Sequence, residues 1–200
     1  MGGEGQSLWE PATDSRVLAC EVQREEQERV IDLLIGCGNS RKKRVALNDD
    51  LEFHDLVTLD IDPDCGADVR ADIAVGLPFR SGSFDSVHAY DVLEHLGTQG
   101  DYWAFFRDFA EIYRVLKPGG TVHGITPNWH SPWLWNDPGH TRSIGFETLA
   151  FLDQQAYREQ VGVTAMTDYR WLWKGDFRLI ARKIENESNI WVLQKHPLPI

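Results

Sequence analysis

The chain has 200 residues, with 42% hydrophobic and 26% charged residues, and a formal net charge of −11. That length suits one domain with a continuous core. The acidic balance repels phosphate and so argues against nucleic-acid or anionic-lipid partners. No apolar run is long enough for a membrane span. Met1-Gly2-Gly3-Glu4 reads as neither a signal peptide nor a myristoylation start. Three cysteines (Cys20, Cys37 and Cys65) make no even framework, so a reducing, cytoplasmic setting is expected.

Residues 1–12 are polar and Gly-rich and read as a loose leader. Asp14 can cap a helix running to about Val30. The run Val30 to Ile35 reads as a buried strand ending in Gly36-Cys37-Gly38. Leu56 to Ile61, Ala67 to Ile73 and Phe84 to Ala89 read as further strands. Asp91 to Leu96 opens a helix. A longer one follows over Tyr102 to Leu116, with Phe105, Phe109, Ile112 and Leu116 at helical spacing. Lys117-Pro118-Gly119-Gly120 stops it, and Thr121 to Thr126 is a fifth strand. A helix is expected over Phe146 to Gln160. Two β-rich runs, Met166 to Lys174 and Phe177 to Lys183, are expected to form a hairpin about Gly175-Asp176. Residues 184–200 read as an extension of one domain spanning 1–200.

This alternation implies an α/β fold: a doubly wound, mostly parallel sheet with an antiparallel C-terminal hairpin and trimmed crossover helices. Ligands of such sheets sit at the carboxyl ends of the strands. Gly36 and Gly38 lie at such an end and allow close backbone approach, with Cys37 between them offering backbone contacts. Arg41 stands where a dinucleotide loop needs a small residue, so the loop suits a nucleoside without a pyrophosphate. Asp60, beside Ile61, can accept ribose hydroxyls, or it is a solvated turn acid. Asp72 can receive an exocyclic adenine amine, with Ile73 beside the ring. The basic run Arg41 to Arg44 reads as a solvated face.

The stretches "LIGCGNS", "TLDID", "ADVRADIAVGLPFRSGSFDSVHAYDVLEHL" and "EIYRVLKPGGTVHGITPN" resemble, in order, the motifs of class I S-adenosylmethionine-dependent methyltransferases. The closest resemblance is to the small-molecule, methyltransferase type 11-like branch. It implies a seven-stranded sheet whose last strand is antiparallel, S-adenosylmethionine as cofactor, and Tyr90 and Asp91 at its methionine end. Leu34 occupies the position where the family often has an acid.

Asp91, Glu94 and His95 have metal-ligand spacing, but Asp91 with Glu94 also matches a capping box, and no metal is expected. The Trp- and His-bearing segment Pro127 to Ile144 is expected to cover the acceptor site. Asn128, Trp129 and Arg142 are the acceptor-binding candidates, and His140 and His130 the candidate bases. Methyl transfer to a small-molecule or lipid- or saccharide-like acceptor is the expected function. The alternatives are a methyltransferase-like binding module, or a nicotinamide-dependent oxidoreductase. Oligomeric state is not legible.

Overall fold

A computed structural model describes residues 30–197. Seven strands form one sheet in the order β3-β2-β1-β4-β5-β7-β6. They are β1 (Ile31–Ile35), β2 (Asp55–Asp60), β3 (Val69–Arg70), β4 (Phe84–Tyr90), β5 (Leu116–Pro127), β6 (Phe177–Glu185) and β7 (Ser188–Lys195). The first five are parallel, and β7 runs antiparallel between β5 and β6. Order reverses at β1, which sends the chain outward to β2 and β3 and back to β4, so a crevice opens beyond its carboxyl end.

Pleat alternation divides the sheet into two unlike faces. Leu33, Ile35, Leu59, Val87, Ala89, Val122 and Trp191 point to one. Helix α1 (Tyr102–Val115) packs there through Phe105, Phe109 and Ile112. Its start is fixed by Asp101, whose side chain accepts the Ala104 N–H at 3.0 Å. Trp191 lies flat over Gly124, where any Cβ would stand 2.1 Å from the ring. Only glycine there lets the indole fill the core.

The other face is polar at its centre. Ser86 Oγ donates to Asp32 at 2.5 Å and meets His88 Nε2 at 2.7 Å; His88 Nδ1 meets the Tyr90 hydroxyl. One proton arrangement satisfies the row: Tyr90 donates to His88, His88 to Ser86 and Ser86 to Asp32. Tyr90 Oη then accepts the backbone N–H groups of Arg44 and Val45, each at 3.3 Å. This ties residues 39–54 across the sheet, and no helix lies between β1 and β2 or between β2 and β3. The crossovers are trimmed, as the sequence implies.

Several boundaries differ from expectation. Asp91 to Leu96 is not a helix but a single 3-10 turn over Leu93–His95, and Val92 precedes it without a side-chain cap. Asp91 has a left-handed φ of 54° and pairs with Arg44 instead of capping. The capping box is therefore absent. The expected helix over Phe146 to Gln160 is split into α3 (Phe146–Leu149), a 3-10 turn (Ala150–Leu152) and α4 (Gln154–Gln160). Asp153 causes the break, because its carboxylate accepts the N–H groups of Gln155 and Ala156 and restarts the helix. Short helix α2 (Pro132–Asn136) lies in the segment after β5, capped by Ser131.

The hairpin is misplaced in the sequence reading. Met166 to Lys174 contains no strand; it turns at Tyr169, whose carbonyl accepts from Leu172 and Trp173. The true hairpin joins β6 to β7 through Asn186 and Glu187, with φ of 47° and 63°. Two left-handed residues match the twist of flanking strands. Ser188–Lys195, within the stretch read as an extension, thus form the interior strand β7. The helix expected from Asp14 to Val30 and the leader 1–12 lie outside the described residues.

Candidate active site

Beyond the carboxyl ends of β1 to β4 lies a cleft of ≈ 560 Å³, within the usual range for a small-molecule site. Of the residues read from sequence as cofactor-binding, Gly36, Gly38, Asp60, Ile61, Asp72, Ile73 and Asp91 line it. Ala71, Ala74, Val92, His95, Leu96 and Gly97 complete the wall.

Gly36 and Gly38 both adopt left-handed φ, 61° and 48°. At Gly36 the constraint is also steric: a Cβ would lie 2.3 Å from Val92 Cγ2. Asp60 braces this loop. Its Oδ2 accepts Gly38 N–H at 2.7 Å and its Oδ1 accepts Asp62 N–H at 2.9 Å. Each oxygen keeps a further lone pair for a ligand hydroxyl. Asp72 accepts from Ala74 N–H at 2.8 Å, a local turn that sets Ile73 against the cleft. Ile61 is 60% exposed beside it and offers an apolar surface to a planar ring.

The basic run is only in part the solvated face expected: Lys42 and Arg44 are exposed, while Arg41 and Lys43 are half-buried. Arg41 donates to the carbonyls of Gly38, Cys65 and Gly66, stapling the glycine loop to the turn after β2. Arg44 pairs with Asp91 at 2.6 Å. Lys43 donates to Glu52 O at 3.0 Å. Through Gly38 and Asp91, Arg41 and Arg44 brace two residues that line the cleft.

Two expected cofactor residues do not line the cleft. Cys37 and Tyr90 both pack on the polar-centred face of the sheet. Burial pushes the Cys37 thiol up to about 11, so it stays protonated at neutral pH. Tyr90 is the clamp on Arg44 and Val45 described above.

The segment after β5 divides in the same way. Asn128 is buried, donating to Asn189 at 2.7 Å and accepting from His130 N–H at 3.1 Å. Trp129 is exposed, and its ring lies against His130. None of these three lines the cleft. Arg142 lines a separate cavity of ≈ 190 Å³ with Thr98, Phe105 and Tyr169. Its Nη2 donates to Thr98 O and Asp101 O, each at 3.1 Å.

His140 instead reaches a cluster that sequence reading did not assemble. Its ring contacts His95 edge-on at 4.6 Å. Its Nε2 lies 3.9 Å from Glu94 Oε1 and 3.8 Å from Asp137 Oδ2. Glu94 is 0% exposed, and neither carboxylate oxygen makes a hydrogen bond among the described residues. Burial pushes its carboxyl up to about 8, with Asp91 and Asp137 adding to the rise. The segment is held there by the Glu94 carbonyl, which accepts from Thr141 and Arg142 N–H. The sequence signal for Glu94 and His95 was present in "DVLEHL"; His140, some 45 positions on, carried none.

Residues 33–123 match the family model for a methyltransferase domain. The fold is similar to that of a methyltransferase dependent on S-adenosylmethionine from Archaeoglobus fulgidus, at 14% identity and a TM-score of 0.51, covering 90% of this chain and 94% of that one. A Methanosarcina mazei protein described in the same terms shares 16% identity at a TM-score of 0.50, covering 88% and 97%. At these identities the structures speak to fold. The family match spans β1 to the middle of β5, the strands that build the cleft, and the likeness to the two solved structures extends over the whole sheet as a likeness of fold.

Proposed function

We propose that the chain transfers the methyl group of S-adenosylmethionine to a small-molecule, lipid-like or saccharide-like acceptor. The carrying observation is the Asp60-braced glycine loop at the switch point of the sheet. It offers ribose-accepting oxygens next to an apolar, base-sized wall of Ile61 and Ile73. Asp72 would meet the adenine amine and Asp91 the methionine end. No helix follows the glycine loop among the described residues, so no helix N-terminus is available for a pyrophosphate, which disfavours a nicotinamide cofactor.

The sulfonium already makes the methyl electrophilic, so the protein mainly aligns an in-line attack. The acceptor would approach past His95, Leu96 and Gly97, the cleft edge nearest residues 137–142. His95 is the polar side chain on that edge, with the His140 ring packed against it, and His130 and Trp129 belong to the outer cover. None of the described helices is long and apolar enough to cross a membrane. The acidic charge supports an acceptor other than nucleic acid, and free Cys37 and Cys65 support a cytoplasmic setting.

Calorimetry with S-adenosylhomocysteine, followed by transfer of a labelled methyl group to an acceptor panel, tests this. Cofactor binding without transfer to any class would favour a methyltransferase-like binding module. Failure to bind would remove the cleft assignment.

A further inference from the structure

We infer that Glu94, His140, His95 and Asp137 form a binding site for a divalent transition-metal ion, bordering the acceptor end of the cleft. Donor atoms of Glu94, His95 and His140 all lie within 4.8 Å of one another. His140 Nε2 faces two carboxylate oxygens at 3.8 and 3.9 Å, too far for hydrogen bonds. Donors bound to one ion at about 2.0–2.2 Å stand on the order of 3–4 Å apart, so the gap has the size of a shared cation.

The arrangement is built rather than incidental. Glu94 is fully buried with both oxygens unpartnered among the described residues, which costs free energy unless something meets them. His95 Nδ1 lies 3.0 Å from Gly139 O. A carbonyl only accepts, so Nδ1 carries the hydrogen and Nε2 keeps the lone pair a metal needs. Asp137 Oδ1 is held by Gly139 N–H at 2.7 Å, which leaves Oδ2 towards His140. Asp91, the member that helical spacing would suggest, is spent on Arg44.

Two imidazoles with carboxylates favour Zn²⁺ or Mn²⁺ over Mg²⁺ and Ca²⁺, which prefer all-oxygen sets. The role of the ion rests on the methyl-transfer reading. A hydroxyl acceptor bound to it would lose its proton to water. Its oxygen lone pair would then form the new bond to the methyl carbon. The carbon–sulfur bond breaks, and its electron pair stays on sulfur.

The test is Zn²⁺ binding by the metal-free protein, read by competition with a chromophoric chelator, with Mn²⁺ followed by electron paramagnetic resonance. One ion per chain is expected, with at least tenfold weaker binding in Glu94→Gln and in His140→Ala. His54→Ala, at an exposed histidine away from the cluster, should bind as wild type. Should either core variant fail to fold, Asp137→Asn at the exposed rim reads the same site. Absence of stoichiometric binding to wild type overturns the site, as does undiminished binding in the variants. S-adenosylhomocysteine titration of the same samples keeps the two readings separate: Glu94→Gln should lose metal and keep the cofactor product.

Discussion

Asp60 holds the glycine loop from below: one oxygen of its carboxylate takes the Gly38 N–H at 2.7 Å while the other takes Asp62. The same two oxygens are the expected ribose acceptors, so loop order and cofactor affinity share one group. Asp60→Ala should weaken S-adenosylhomocysteine binding by about 2 kcal/mol, the usual scale for hydrogen bonds to a charged group. It should also lower the melting temperature, because two backbone donors lose their partner. Asp60→Asn keeps an acceptor oxygen and should fall between. Affinity unchanged in Asp60→Ala would take this residue out of the site.

His88 and His123 are stacked at 4.6 Å inside the sheet, and this predicts acid sensitivity. Burial pushes His123 down to about 3, with His88 and Lys43 nearby adding to the fall and Asp32 opposing it. His88 is also lowered, chiefly by burial. An unfolded histidine titrates near 6.5, so the unfolded chain takes up protons first as pH falls. Stability is therefore complete above about 6.5 and lost between there and the folded value, by on the order of 3–5 kcal/mol for His123. Melting temperatures from pH 7.5 to 4.5 should fall steeply in wild type and less in His123→Gln. Parallel curves would show that this pair does not govern the loss.

The sheet was legible because buried strands and the Asp101-capped helix follow simple periodicities, and the cleft because glycines and acids stand at strand ends. What failed was set by contacts distant in sequence. Asp91 has the spacing of a cap, but Arg44 takes its carboxylate. Met166 to Lys174 has strand composition, yet Trp173 is buried as a core residue with its Nε1 on Leu152 O. The true hairpin turn, Asn186-Glu187, lacks the glycine that usually marks it. Arg41 looks solvated until the turn after β2 brings two carbonyls, of Cys65 and Gly66, to it.

The two cleft glycines should respond differently to alanine. Gly36→Ala drives a methyl into Val92 at a left-handed φ, so loop and acceptor wall must separate. A loss of about 2–3 kcal/mol of stability, with cofactor binding impaired, is expected. At Gly38 a Cβ meets nothing within 4 Å, leaving only the left-handed conformation, about 1 kcal/mol. Gly38→Ala should melt close to wild type. If it nonetheless loses affinity for S-adenosylhomocysteine, the cofactor passes directly over that carbon. Equal melting temperatures for the two variants would contradict the steric account.

Arg142 supplies the last prediction, because its position decides between acceptor binding and structure. Its side chain is 8% exposed and spans the carbonyls of Thr98 and Asp101 from above Phe105. Gly97 makes room for it: a Cβ there would lie 2.4 Å from Nη2. Removing the guanidinium leaves two carbonyls without that donor and opens the small cavity beside α1. Arg142→Ala should cost about 1–3 kcal/mol, or roughly 2–12 °C in melting temperature for a chain of this size. Activity per folded molecule and the KM for the acceptor should hold. Arg142→Lys should recover part of the stability, since an ammonium reaches only part of the fork. A raised KM with an unshifted melt would reverse the assignment and place the acceptor in the Arg142 cavity rather than at His95.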